Sequence, residues 1–227
     1  MQHAYPHHPA IRAAIFDMDG LMLDTERIAI RAWEAASQEL AVSLGDDAIY
    51  GMVGMHSSKI AAHLAEYLSD SGVIRDLIDC THRHYQALTD APIPHKAGII
   101  TMLEWLKACG LPCAVATSTR RSIAEHHLKA AGLWPYFSAT VCGDEVSQPK
   151  PAPEIYQTAA ARLGQAPQAC LAFEDSNFGV RAAHAAGCQV IMIPDLKQPT
   201  TETLALGMPV VSDLQAAHAL AQQWLGH

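Results

Sequence analysis

The sequence predicts an α/β fold: a core of parallel strands with helices on both faces, interrupted by an inserted all-helical domain. Three observations lead there. Short apolar runs without clean alternation read as strands covered on both faces. Helical stretches alternate with those runs, and glycines stand where the helices should end. Between the first two strands lies a long segment with helical patterning only.

The strands are expected at Arg12–Asp17, Pro112–Thr117, Thr140–Gly143, Ala169–Glu174 and Gln189–Ile193. Helices are expected at Ile99–Ala108, Arg121–Ala131, Pro153–Leu163 and Asn177–Ala186, followed by Gly110, Gly132, Gly164 and Gly187. Strand alternating with helix favours parallel pairing. A short strand, Pro209–Val211, and a helix, Asp213–Leu225, come last. The exception runs from Asp24 to Ala91, with helices expected at Glu26–Leu40, Asp46–Gly54, Ser57–Tyr67 and Ile74–Leu88. Four helices exceed what one crossover between parallel strands needs. The expected domains are therefore 1–23 with 92–227, and a helical insert, 24–91. Ala91-Pro92-Ile93-Pro94 reads as a stiff return linker.

Composition narrows the partners. Fifteen basic against 23 acidic residues give a net charge of −8, and no Lys/Arg cluster is long enough to track a nucleic-acid backbone. No apolar run approaches the ~20 residues that span a bilayer, so no membrane partner is expected. The polar, His-rich start has no basic segment followed by an apolar one, so a cytoplasmic protein without a signal peptide is expected. A monomer or weak homodimer is the expected state. The six cysteines lack CxxC spacing and are expected to be buried, reduced thiols rather than a zinc site or disulfide framework. Histidines such as His126 and His127 are expected on the surface.

In an open parallel sheet, ligands bind beyond the C-terminal ends of the strands. The residues expected there are Asp17-Met18-Asp19-Gly20, Thr117-Ser118-Thr119-Arg120, Lys150, and Glu174-Asp175-Ser176. Four carboxylates converging without a cation would repel one another. An oxygen-rich set of this kind suits Mg²⁺, which also accepts phosphate oxygens. One carboxylate can then attack phosphorus, and a second can protonate the leaving oxygen. Lysine and hydroxyl donors would hold the phosphoryl oxygens.

The run Phe16-Asp17-Met18-Asp19-Gly20-Leu21-Met22-Leu23-Asp24-Thr25-Glu26 resembles the first motif of the haloacid dehalogenase-like (HAD) hydrolases, closest to the branch with β-phosphoglucomutase and sugar-phosphate phosphatases. Thr117 after a strand, Lys150-Pro151, and Glu174-Asp175-Ser176 match its later motifs in order. The resemblance runs from about Ile11 to Ile193. It implies a Rossmann-like core with a helical cap, Asp17 as nucleophile and Asp19 as general acid/base. It implies phosphate binding by Thr117 and Lys150, with Ser118 giving its backbone N–H. It implies Mg²⁺ held by Asp17, the Asp19 backbone carbonyl and Asp175, with Glu174 a direct or water-mediated partner. His56 and Lys59, in the turn where this branch carries a specificity loop, and Arg120 are candidates for the leaving group; each also reads as an exposed residue.

The expected function is a Mg²⁺-dependent phosphatase acting on a small phosphorylated metabolite, a sugar phosphate first, through an aspartyl-phosphate at Asp17. Dehalogenases do not need Asp19, and phosphonate hydrolases replace it. A β-phosphoglucomutase-type mutase is the alternative, but its cap histidine and arginine correspond here to Ala29 and Ser57. A non-catalytic phospho-ligand-binding regulatory module is the alternative from another class; it predicts loss of a motif residue, and all four motifs are intact.

Overall fold

The computed structural model describes residues 11–53, 55 and 57–226. Five strands form one sheet: β1 (Ala13–Phe16), β2 (Cys113–Ala116), β3 (Ala139–Val141), β4 (Cys170–Glu174) and β5 (Gln189–Met192). Their order is β3-β2-β1-β4-β5, and every neighbouring pair is parallel. Every residue of β1, β2 and β4 is buried, which is why these segments do not alternate and are apolar up to Glu174, the last residue of β4. From the central β1 the chain builds outward through β2 and β3, then returns to the other side for β4 and β5. The order therefore switches at β1, where an open sheet forms its crevice.

The chain divides into two compact units, Met1–Leu23 with His95–His227, and Asp24–Pro94. Pro92, Ile93 and Pro94 go with the helices because the outgoing and returning segments pair. The Asp24 N–H donates to the Pro94 carbonyl (3.0 Å) and Leu23 forms an antiparallel bridge with His95.

The Asp24–Pro94 unit holds α1 (Thr25–Glu39), α2 (Asp46–Gly51), α3 (Ser57–Leu64) and α4 (Ser71–Thr89). α1 packs on α4, with Ile28, Ala32 and Ala36 buried on one helix and Ile74, Leu77 and Thr81 on the other, the i, i+3, i+4 spacing of an apolar stripe. α4 begins before the expected Ile74 because the Asp70 carboxylate caps it, accepting the Gly72 and Val73 N–H groups (2.7 and 3.3 Å).

The other unit adds α5 (Ile99–Ala108), α6 (Arg121–Ala130), α7 (Glu154–Arg162), α8 (Asn177–Ala186), α9 (Thr201–Leu204) and α10 (Leu214–Leu225). α9 has no counterpart in the sequence reading; it is a short turn of helix whose Thr200 hydroxyl accepts the Thr203 N–H (3.3 Å). The expected strand Pro209–Val211 is reduced to one bridge, Met192 with Val210, before Asp213 caps α10. One sheet face, Ala13, Ile15, Ala114, Ala116 and Ala172, packs with Ile155 and Ala159 of α7 and Val180 and Ala183 of α8. The alternate positions Ala14, Phe16, Val115 and Phe173 are buried too, and Phe16 stacks on Phe173 with centroids 4.7 Å apart. All six cysteines are free, five of them buried and Cys109 half-buried. Among the described residues, no helix is long and apolar enough to cross a membrane.

Arginines clamp the end of β3. Arg121 and Arg162 both donate to the Thr140 carbonyl (2.5 and 2.6 Å) and both pair with Glu145, which also accepts the Cys142 N–H (2.9 Å). Burial pushes the Glu145 carboxyl up, but the hydrogen bonds from Arg121, Arg162 and Cys142 outweigh it and hold the group at about 2, against an ordinary 4.5. A depressed carboxyl stabilises the fold above its unfolded value and loses that contribution as pH falls towards its folded one.

Two outcomes follow. Discounted for partial exposure, Glu145→Gln costs about 1–2 kcal/mol in urea unfolding at neutral pH, and the difference from the parent shrinks as pH falls from 4.5 towards 2. Leu77→Ala, at a fully buried position of the helical unit, costs about 2–5 kcal/mol by the same measurement.

Candidate active site

At the end of β1 the chain turns sharply. The Met22 and Leu23 N–H groups both donate to the Met18 carbonyl (3.0 and 3.1 Å), and the Gly20 N–H donates to Leu23 (2.9 Å). The Asp17 N–H donates to the Phe173 carbonyl of β4 (3.1 Å), which fixes the residue at the sheet edge. Asp17 is buried and Asp19 half-buried.

Lys150 reaches this edge from the loop between β3 and α7. Its Nζ donates to Asp17 Oδ1 (2.5 Å), Glu174 Oε1 (2.6 Å) and the Ala116 carbonyl (3.0 Å), which accounts for all three ammonium protons. Burial works against its charge, but the two carboxylates outweigh it and hold the ammonium above the usual lysine range. Glu174 is fully buried and its oxygens are all engaged. Oε1 also accepts the Tyr156 hydroxyl (2.7 Å); Oε2 accepts the Ser176 N–H (3.1 Å) and hydroxyl (3.0 Å). The Ser176 oxygen in turn caps α8 by accepting the Gly179 N–H (3.0 Å). A Cβ at Gly179 would lie 1.7 Å from Glu174 Oε1, so the first turn of α8 closes on the carboxylate only because that residue has no side chain.

Asp19 has its own partners. Thr117, directly after β2 and fully buried, donates its hydroxyl to Asp19 Oδ2 (3.0 Å), and Thr119 donates to the same oxygen (2.8 Å). The Thr119 N–H donates back to the Thr117 oxygen (3.0 Å), tying the two threonines into one turn. Behind it, a Cβ at Gly143 would meet the Ser118 carbonyl at 2.1 Å, so the loop after β3 packs against this turn through backbone alone.

The electrostatics are unbalanced. Asp17, Asp19, Glu174 and Asp175 bring four carboxylates to one edge with Lys150 among them, and Asp175 is also buried. Burial is the main cause that pushes the Asp17 carboxyl well above the ordinary range; Lys150 opposes it, while Glu174 and Asp19 push further in the same direction. A divalent cation among these oxygens would supply the missing charge, so the donor set fits one. Glu174, already bound to Lys150, Tyr156 and Ser176, is the member least able to turn towards it.

Other expected positions fall elsewhere. The Ser118 side chain is exposed; Arg120 precedes α6 and is exposed; Lys59 lies exposed on α3 of the helical unit. His56 lies outside the described residues. His127 corrects the surface assignment. It is buried on α6 between Ala124 and Leu128 because it occupies the apolar stripe of that helix, and burial lowers its imidazole pKa while the Asp19 carboxylate opposes the shift. Three contributors had no assigned part in the sequence reading: Thr119, Tyr156 and Ser176. Ser176 carried a usable signal, since a serine three residues before a glycine at a helix start is an N-cap pattern. Tyr156 carried none, because a tyrosine on an apolar helix face reads as core.

The family described as haloacid dehalogenase-like hydrolase matches residues 14–193. A phosphorylated carbohydrates phosphatase of Thermotoga maritima is 30% identical over 181 residues, covering 80% of this chain and 84% of the relative. A fructose-1-phosphate phosphatase of Escherichia coli is 32% identical over 183 residues, covering 78% and 93%. Among solved structures, CbbY from Rhodobacter sphaeroides in complex with phosphate superposes with a TM-score of 0.73 at 27% identity, over 90% of this chain and 95% of that one. With the family match spanning most of the sequence, the chain belongs to the haloacid dehalogenase-like hydrolases.

Proposed function

We propose that this hydrolase is a magnesium-dependent phosphatase that cleaves a small phosphorylated carbohydrate through a phosphoryl group carried on Asp17. The observation that carries the reading is the pairing of two aspartates in one turn with different surroundings. Asp17 is buried against the Lys150 ammonium, while Asp19 is half-buried and held by two hydroxyls.

The steps follow from those surroundings. The Asp17 carboxylate attacks phosphorus, and the ester oxygen leaves with a proton from Asp19. Asp19, now ionised, takes a proton from water as that water attacks the phosphoryl-aspartate; inorganic phosphate departs and both aspartates return to their starting states. Lys150 fixes the direction of attack by holding Asp17 Oδ1. The Thr117 hydroxyl, which would turn from Asp19 Oδ2 when substrate binds, and the Ser118 backbone N–H are the donors assigned to the phosphoryl oxygens. Asp17, the Asp19 carbonyl and Asp175 are the groups assigned to Mg²⁺, which when bound supplies the positive charge that keeps Asp17 ionised and draws charge from the phosphate. Glu174 acts through Lys150 instead, since its contacts are all spent on Lys150, Tyr156 and Ser176.

The Asp24–Pro94 unit is assigned the role of the cap in this reading. The carbohydrate choice is supported by the relatives, one named for phosphorylated carbohydrates and one for fructose 1-phosphate. Hydrolysis is favoured over phosphoryl return to a second sugar oxygen because Ala29, half-buried on α1, offers only a methyl group where a mutase needs a polar one.

Phosphate release from a panel of sugar phosphates tests the reading. With Mg²⁺ present, Asp17→Asn lowers kcat by about 10⁴-fold or more, and Asp19→Asn by about 10²–10⁴-fold. Unchanged turnover in Asp17→Asn overturns the nucleophile. Chelation abolishes release and Mg²⁺ restores it; activity that survives chelation removes the cation from the reading. Glucose 6-phosphate formed from β-glucose 1-phosphate identifies a mutase.

A further inference from the structure

The helical unit carries a second cluster of ligating side chains, made of residues the proposed reaction does not use. Cys80 and His84 stand one turn apart on α4, on the same helix face, and Glu39 is the last residue of α1, which packs against α4. A sulfur, an imidazole nitrogen and a carboxylate oxygen of these three all lie within 4.8 Å of one another. Among the described residues, this is the one group of three such side chains that meets that spacing. His84 Nε2 is 2.8 Å from Glu39 Oε2, and the Cys80 thiol hydrogen-bonds to the same carboxylate. Arg83 occupies the other oxygen, with Nη2 2.9 Å from Oε1.

We propose that Glu39, Cys80 and His84 bind a zinc-like divalent cation. The donor set separates this site from the carboxylate edge of the sheet. Sulfur and imidazole suit Zn²⁺ and Co²⁺, whereas Mg²⁺ prefers an all-oxygen shell. Cys80 is buried, His84 half-buried and Glu39 exposed, so three ligands come from the protein and the fourth position opens to water. Binding replaces the contacts already there. The thiol proton leaves to solvent, the imidazole ligates through Nε2 with its proton on Nδ1, and Oε2 exchanges its hydrogen bonds for the cation. A thiolate and a carboxylate then neutralise the two positive charges. Arg83 stays on Oε1 and orients the carboxylate from behind, as outer partners of metal ligands do.

The test is a Co²⁺ titration of the full, reduced chain in excess Mg²⁺. One equivalent produces a near-ultraviolet thiolate-to-cobalt charge-transfer band, which Zn²⁺ then bleaches. Carboxylates and histidines elsewhere in the chain cannot produce that band. Cys80→Ser removes it, and Cys109→Ser, at a half-buried thiol outside the cluster, keeps it. Outer partners alone are worth about 10–100-fold in affinity, so loss of a ligand in His84→Gln or Glu39→Gln weakens Zn²⁺ binding by more than about tenfold. Those two variants decide the matter if circular dichroism finds Cys80→Ser misfolded, because both positions are at least partly open to solvent. No band, a band that survives in folded Cys80→Ser, or unchanged Zn²⁺ affinity in His84→Gln and Glu39→Gln overturns the site.

Discussion

The Lys150 ammonium ties the ends of three adjacent strands to one point. It bonds to Asp17 just beyond β1, to the last carbonyl of β2 and to the last side chain of β4. An unpaired ammonium in so buried a place would be expelled or discharged. Here every proton has an acceptor, and two of the acceptors carry negative charge. Removing one partner of such a group leaves the other uncompensated, at a cost of about 3–5 kcal/mol. The strand order and the loop that delivers Lys150 are thus under one electrostatic constraint, and the position of Asp17 follows from it.

The surrounding helices serve that constraint. α7 brings the Tyr156 hydroxyl, and the start of α8 brings Ser176 and the gap left by Gly179. Together they hold Glu174, which holds Lys150, which holds Asp17. Asp19 lies two residues further on yet answers to different neighbours, the hydroxyls after β2. Placing two chemically identical groups in contrasting surroundings is how a protein gives them separate tasks.

Much of this was legible in the sequence. The apolar runs around Ile15, Val115 and Ala172 gave the strands because a strand covered on both faces has no polar alternation to hide it. Asp17, Asp19, Thr117 and Glu174 were legible because strand ends are where polar residues interrupt those runs, and Lys150 because it stands before a proline ahead of a helix. The limits are equally physical. Tyr156 is buried against apolar neighbours along most of its ring, and only its hydroxyl, invisible to periodicity, meets Glu174. His127 escapes a reading by polarity, because its place beside Leu128 on α6 puts it in the core. The end of the helical insert is hard to see in the sequence because a Pro-rich stretch reads as a linker, whereas Pro94 is paired through its carbonyl.

That pairing bears on how such a chain can diversify. Leu23 and His95 lie side by side across a bridge, so the sheet sees everything between them as one closed loop. Closure entropy grows only slowly with contour length, about 0.6 kcal/mol for each doubling. Excising the helices, or splicing in a longer set, would therefore tax the strands little. The insert can thus vary in length while the sheet and the residues at its end stay as they are.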